Sequence, residues 1–274
     1  MRLLIGAITV LAAMSAAFIG GEAGSADACA GLIGSNGAVN LGRTTTLAAY
    51  DDGIEHYVTA FQFQGGGGEF GTLIPLPGVP TKVERGGAWT LQRLQLETQP
   101  PFAAFDRLAE ASPSAYGAVV LQEVRIDALD ITVLKGGGPD VAAWATEHGF
   151  RLSPDAPEVL DFYASRSPIF LAAVFDGEAA AARGQVQGDG TPVSITIPTD
   201  NPWVPLRILG LGKQAEDRVE ADVFLLTDDE PAFLPRPATG LFLAHSQPAT
   251  DLLLDDLRSD DGMGWVPESG WLTK

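Results

Sequence analysis

The chain has 274 residues and a formal net charge of −18, with 35 acidic residues against 17 basic ones. So acidic a surface repels nucleic acid and anionic lipid headgroups, which excludes proteins that work by neutralising phosphates. One cysteine excludes an intramolecular disulfide, and three histidines leave few bases for nucleophilic catalysis.

Met1-Arg2 precedes an apolar run over 3–19, then Gly20-Gly21 and small residues that end in Ala26-Asp27-Ala28. A short basic start, an apolar core and an A-x-A site predict a signal peptide over 1–28, and hence export to the cell envelope or beyond. The alternative is a retained N-terminal membrane anchor, since the run is near the lower length for spanning. Cleavage after Ala28 leaves Cys29 first, and three readings of it stand: a lipid-modified tether, a bond to another chain, or an incidental residue. The residues before it lack the aliphatic side chain usual three positions upstream of a lipidated cysteine, and one acyl chain holds weakly. No later stretch reaches about 18 apolar residues, so no membrane span is expected after signal cleavage.

The most distinctive stretch is 55–80. Residues 56–64 alternate, with Tyr57, Thr59, Phe61 and Phe63 on one side, which is the period of a strand. Gly65 to Gly68 then permit a reversal, and a second extended run over 70–76 carries Pro75, with Pro77 just past it. A hairpin is expected here, with Tyr57, Phe61 and Phe63 in the core. Ala88, Leu91, Leu94 and Thr98 share one helical face, with an extended segment as the alternative for 88–98, and a further short helix is expected over 102–110. The middle reads as strands over 119–124 and 131–134, a Gly136-Gly137-Gly138 turn, helices over 139–148 and 157–164, and a strand over 169–175. That last run is apolar throughout, as in a strand covered on both faces. A polar loop is expected over 177–190, followed by strands over 193–197, 203–209 and 219–226. The rest is acidic and Pro-rich, with one short helix around 252–257, and reads as loosely packed.

The class is therefore α+β, mostly antiparallel sheet with a few short helices and a strand-helix-helix-strand unit in the middle. The expected organisation is a signal peptide over 1–28, one domain over 29–227 with residue 118 as the place where two subdomains would divide, and a tail over 228–274.

These residues resemble a bacterial family, domain of unknown function 2330. The matching features run in order over about residues 28–227: Ala28-Cys29-Ala30-Gly31, then Phe61-Gln62-Phe63 and Ile74-Pro75-Leu76-Pro77, then Leu94 to Pro100. Val133-Leu134 follows, with Trp144 to Phe150, Tyr163 to Phe170, and Pro205-Leu206-Arg207. The resemblance implies a secreted or envelope protein with no assigned activity. Family members often carry further cysteines near the start, so no family disulfide carries over, and the membrane helix that ends many of them is missing.

Motifs for chemistry are weak. Gly66, Gly68 and Gly71 satisfy a bare G-x-G-x-x-G, but an extended run follows where dinucleotide binding needs a helix. No G-x-S-x-G or H-E-x-x-H is present. His148 falls on a last helical turn, where capping suits it better than catalysis. Calcium is the ion that extracellular carboxylate clusters can coordinate, and Asp260-Asp261-Gly262 is the first place to look, although the spacing of a calcium loop is absent. The sequence thus predicts no catalytic residues, no cofactor, no nucleic-acid partner, and weak metal candidates at Asp260 and Asp261 only. Two functions remain: a noncatalytic domain that binds a cell-surface or extracellular partner, or an extracellular hydrolase built from scattered Asp, Glu and His. A pocket that gathers His56 or His148 with carboxylates would favour the hydrolase.

Overall fold

The computed structural model describes residues 31–34, 43–60, 70–99, 119–182, 191–213, 219–232, 242–259, 263 and 265–274. Its elements begin with strands β1 (Gly31–Gly34), β2 (Arg43–Asp51), β3 (Ile54–Ala60), β4 (Phe70–Leu76) and β5 (Lys82–Arg85). Helix α1 (Ala88–Thr98), β6 (Val119–Ile126), β7 (Leu129–Lys135), α2 (Gly138–Glu147), α3 (Ala156–Ala164) and β8 (Ile169–Phe175) follow. The chain continues through α4 (Gly177–Ala182), β9 (Val193–Pro198), a 3-10 turn (Leu206–Gly210) and β10 (Glu220–Thr227). It finishes with β11 (Ser246–Pro248), α5 (Asp251–Arg258) and β12 (Trp271–Thr273).

The strands form two sheets: five strands in the order β1-β4-β8-β7-β6, and seven in the order β11-β12-β10-β2-β3-β9-β5. Pairing is antiparallel throughout except between β2 and β10. The class is α+β, as the periodicities predict. The sheets pack face to face around Tyr57, Ile74, Ile131, Leu171 and Ile195. The outer face of the five-stranded sheet buries Leu134 and Phe170 beneath Trp144 of α2 and Leu160 of α3. The outer face of the seven-stranded sheet buries Leu47, Val58 and Phe224 beneath Leu94 of α1 and Leu257 of α5. Four layers result, helices outside and two sheets within, because each sheet is apolar on both faces and each face needs cover.

Several expectations hold. Helix α1 has the expected bounds, and the β7-α2-α3-β8 unit is present, with β8 in the middle of its sheet and its side chains buried on both faces. Gly149 just past α2 has φ +76°, the left-handed conformation a helix end favours in glycine. The β2–β3 turn places Asp52 and Gly53 at positive φ, the geometry of a two-residue hairpin. The expected helix over 102–110, Phe61, Phe63 and the Gly65 to Gly68 run lie outside the described residues.

Four expectations are corrected. Strands β3 and β4 are not a hairpin: β3 is flanked by β2 and β9 in one sheet, β4 by β1 and β8 in the other. With both edges of β3 already paired, β4 has nowhere to join it. Pro75 lies past the four residues of β4 that β1 pairs, so among the described residues no neighbour on that side awaits a donor. The stretch over 203–209 is not a strand: Pro202 and Pro205 remove ladder donors, and the chain goes on into the 3-10 turn. The loop expected over 177–190 opens instead with α4, because Asp176 Oδ1 accepts the N–H groups of Glu178 and Ala179 at 2.9 and 3.0 Å ahead of an alanine run. Nor are the described residues beyond 228 loosely packed. Strand β12 pairs with β10, and α5 is capped by Thr250, tied to Arg93 through Asp256 at 2.6 Å, and buries Leu253, Leu254 and Leu257.

A packed α5 makes Leu257 a core residue. Leu257→Ala is therefore expected to lower unfolding free energy by about 2–5 kcal/mol in urea titration. A change within about 0.5 kcal/mol is what a loosely packed tail would give.

Candidate functional site

The β3 alternation places Glu55 on the same face as Tyr57 and Thr59, the face that looks toward the five-stranded sheet. Glu55 pairs in register with Tyr50 of β2 and Ile197 of β9, next to the β2–β3 turn. It is fully buried, and among the described residues neither carboxyl oxygen has a hydrogen-bond partner. Burial pushes its pKa up to about 8, while the Trp203 backbone N–H pulls the other way without satisfying either oxygen. At neutral pH the side chain is a carboxylic acid with a proton to donate and nothing to receive it.

Beside Glu55 lies a cavity of about 610 Å³. The five-stranded sheet stops short of β10 and β12, and the inner faces of Ala48, Val223, Leu225 and Thr273 form the floor. Pro202, Trp203, Val204 and Leu206 build the opposite wall, where Trp203 stacks on Tyr163 at 5.4 Å. Phe242 and Leu243 stand at the mouth, 81% and 54% exposed. Polar groups are few. The Tyr50 hydroxyl donates to the Thr199 carbonyl at 3.2 Å, and Lys274 Nζ is paired with Asp222 at 2.8 Å. Thr273 Oγ1, buried like Glu55, has no partner among the described residues.

Asp51 and Asp52 of the β2–β3 turn meet Asp228, which follows β10, outside the cavity lining, and Asp228 is held above the ordinary carboxylate range by lost hydration first and then by Asp51, Asp229 and Asp52. Among the described residues no group of three or more His, Cys, Asp or Glu is placed to hold a metal. Asp260, Asp261 and Cys29 lie outside the described residues.

The histidines are elsewhere. His56, one residue from Glu55, points to the opposite face and stacks on Trp265 with ring centroids 4.0 Å apart. Burial lowers its pKa, helped by Lys82 and opposed by Asp51. His148 caps α2 as expected: its Nδ1 lies 2.7 Å from the Trp144 carbonyl, and its ring stacks on that indole. His245 exchanges backbone hydrogen bonds with Lys274, extending the β11–β12 ladder. No histidine meets Glu55. Gly71, the last glycine of the G-x-G-x-x-G, sits inside β4, where an added Cβ would lie 2.8 Å from the Phe150 ring, so its smallness serves packing.

The family that the sequence matches over residues 23–228 is described as an uncharacterized protein conserved in bacteria, DUF2330. The chain belongs to that family. A comparison with curated proteins returns no match. Among solved structures, this DUF2330 chain is similar to baculovirus P35, with 10% identity, a TM-score of 0.38, and 77% of this chain and 74% of that one covered. A mutated baculovirus P35 after caspase cleavage gives 11% identity, a TM-score of 0.39 and 75% of each chain. Among the described residues of this DUF2330 protein, no helix is long and apolar enough to cross a membrane.

The raised pKa of Glu55 has a stability consequence with a defined sign. Between pH 4.5, the ordinary value, and about 8, the folded state holds a proton that the unfolded state has lost, so stability falls as pH rises through that window. Glu55→Gln removes this term. Paired melts should show the variant gaining on wild type by up to about 1.4 kcal/mol per pH unit across the window, levelling off above it. A constant difference at every pH would mean that Glu55 titrates normally.

Proposed function

We propose that this protein is a noncatalytic binding domain, exported to the bacterial cell envelope or beyond, whose ligand occupies the cavity beside Glu55. The cavity carries the proposal: its volume suits a small molecule, its walls are apolar, and its polar groups are few and sharply placed. The charged N-terminus, apolar run and A-x-A site over 1–28 support export, as does the acidic surface. Exposed Phe242 and Leu243 at the mouth give an apolar ligand or partner a first contact.

A second reading rests on Glu55 itself. A carboxyl that titrates near 8 has the affinity for protons a general acid or base needs, which keeps the extracellular hydrolase in play. Against it, the described cavity lining offers Glu55 no histidine and no second carboxyl. Turnover by a hydrolase of this kind would vanish in Glu55→Gln while ligand affinity persisted.

Binding is tested with an uncharged environment-sensitive dye such as Nile red, displaced by candidate ligands. Wild type should enhance its emission, and Leu225→Trp, which fills the floor, should weaken dye binding at least about tenfold while the cooperative melt is retained. Equal dye binding by both proteins would place the dye elsewhere and remove the support for the cavity. Export is read by intact mass after fractionation. The expected product begins at Cys29, and its mass reports whether an acyl chain is attached; a full-length cytoplasmic product would contradict export.

A further inference from the structure

We infer that the cavity takes an elongated apolar molecule bearing an uncharged hydrogen-bond acceptor, an amide, ester or ketone carbonyl, that receives the Glu55 proton. This rests on the cavity being a binding site and adds the class of ligand. Shape comes from the register. Glu55 in β3 and Thr273 in β12 lie three strands apart in the order β12-β10-β2-β3 and two residues out of register, about 14 Å across the strands and about 7 Å along them. Between them the floor is Ala48 and Leu225, with Tyr50 and Thr227 toward the Glu55 end. A long, mostly apolar body with its acceptor at the Glu55 end matches that pattern.

Charge selects the polar group. An anion would approach against a net charge of −18 and, among the described lining residues, find no free cation, because the Lys274 ammonium is already held by Asp222 at 2.8 Å. A cation would have to shed its water and strip the proton from Glu55 inside an apolar wall, and a buried ion pair returns little of that cost. An uncharged acceptor needs neither step. It gives a buried donor its missing partner, and leaving such a donor unmade is what proteins rarely tolerate. The groups around Glu55 do not alter this: Ile197 is apolar, the Tyr50 hydroxyl is engaged by Thr199, and the 202–206 wall carries no charge. Both Glu55 oxygens lie beneath the wall surface, so the carbonyl meets them after a shift of Glu55 or of half-buried Trp203.

Calorimetric titration of the full chain with octanamide, octylamine and octanoate, below and above pH 8, tests the class. Octanamide should bind wild type best and lose at least about tenfold on the alkaline side, where Glu55 no longer has a proton to donate. Glu55→Gln retains a donor and should keep the affinity while losing the pH response; Glu55→Leu, which suits the apolar wall and is expected to fold, should lose about tenfold at acid pH. Two outcomes overturn the inference and leave the binding site standing: octylamine binding tightest and tightening with pH, or octanamide binding Glu55→Leu as well as wild type. If none of the three probes binds wild type and the apolar dye does not either, the binding-site reading fails and the inference with it.

Discussion

Unequal sheet width is the constraint on which the rest of the molecule depends. Seven strands face five, so the inner surface of β10 and β12 extends past the sheet that should cover it. An uncovered apolar sheet face is unstable in water, and the chain covers it with the Pro-rich 202–206 segment and the 3-10 turn. An irregular segment does not interdigitate with a pleated surface as a second sheet does. The space left between them is the cavity, which is therefore a product of the architecture and has the apolar lining of a core.

Glu55 marks the boundary of that space. On its row of the sheet its neighbours toward β9 are ordinary core, and its neighbours toward β10 line the cavity. Burying a carboxyl without hydrogen bonds costs stability, and keeping its proton is the cheaper of two unfavourable choices. A leucine there would complete the core at no such cost. Structural ion pairing is not the reason for the acid, since it has no partner. What remains is a use for a neutral donor in an apolar wall, and the strongly acidic chain narrows that use by opposing anions.

Much of the fold was legible in the residues. The heptad-like spacing of Val141, Trp144, Ala145 and His148, closed by Gly149, defines α2, and the unbroken apolar run of β8 announces a strand covered on both faces. What failed to show is long-range. Local alternation defines β3 and β4 as strands but is silent on which sheet each joins, so nearness in sequence suggested a hairpin that does not exist. The tail misled for a similar reason: its prolines and aspartates describe its loops, whereas Leu253, Leu254 and Leu257 form a helix stripe too short to stand out without the sheet it covers. Glu55 was within reach. It shares parity with Tyr57 and Thr59, so the alternation alone places an acid on a core face. That β10 and β12 would border it, from a hundred and more positions away, no periodicity could tell.

The protonation state of Glu55 is the most direct point of contact between these ideas and experiment. Carbon-13 NMR of glutamate side-chain carboxyls, with the Glu55 resonance assigned by its loss in Glu55→Gln, follows that state as pH changes. The predicted result is a Glu55 carboxyl still protonated at neutral pH and ionising near 8. Ionisation close to 4.5, the ordinary value, would mean that Glu55 is hydrated or paired in solution, and the neutral donor at the edge of the cavity would not exist.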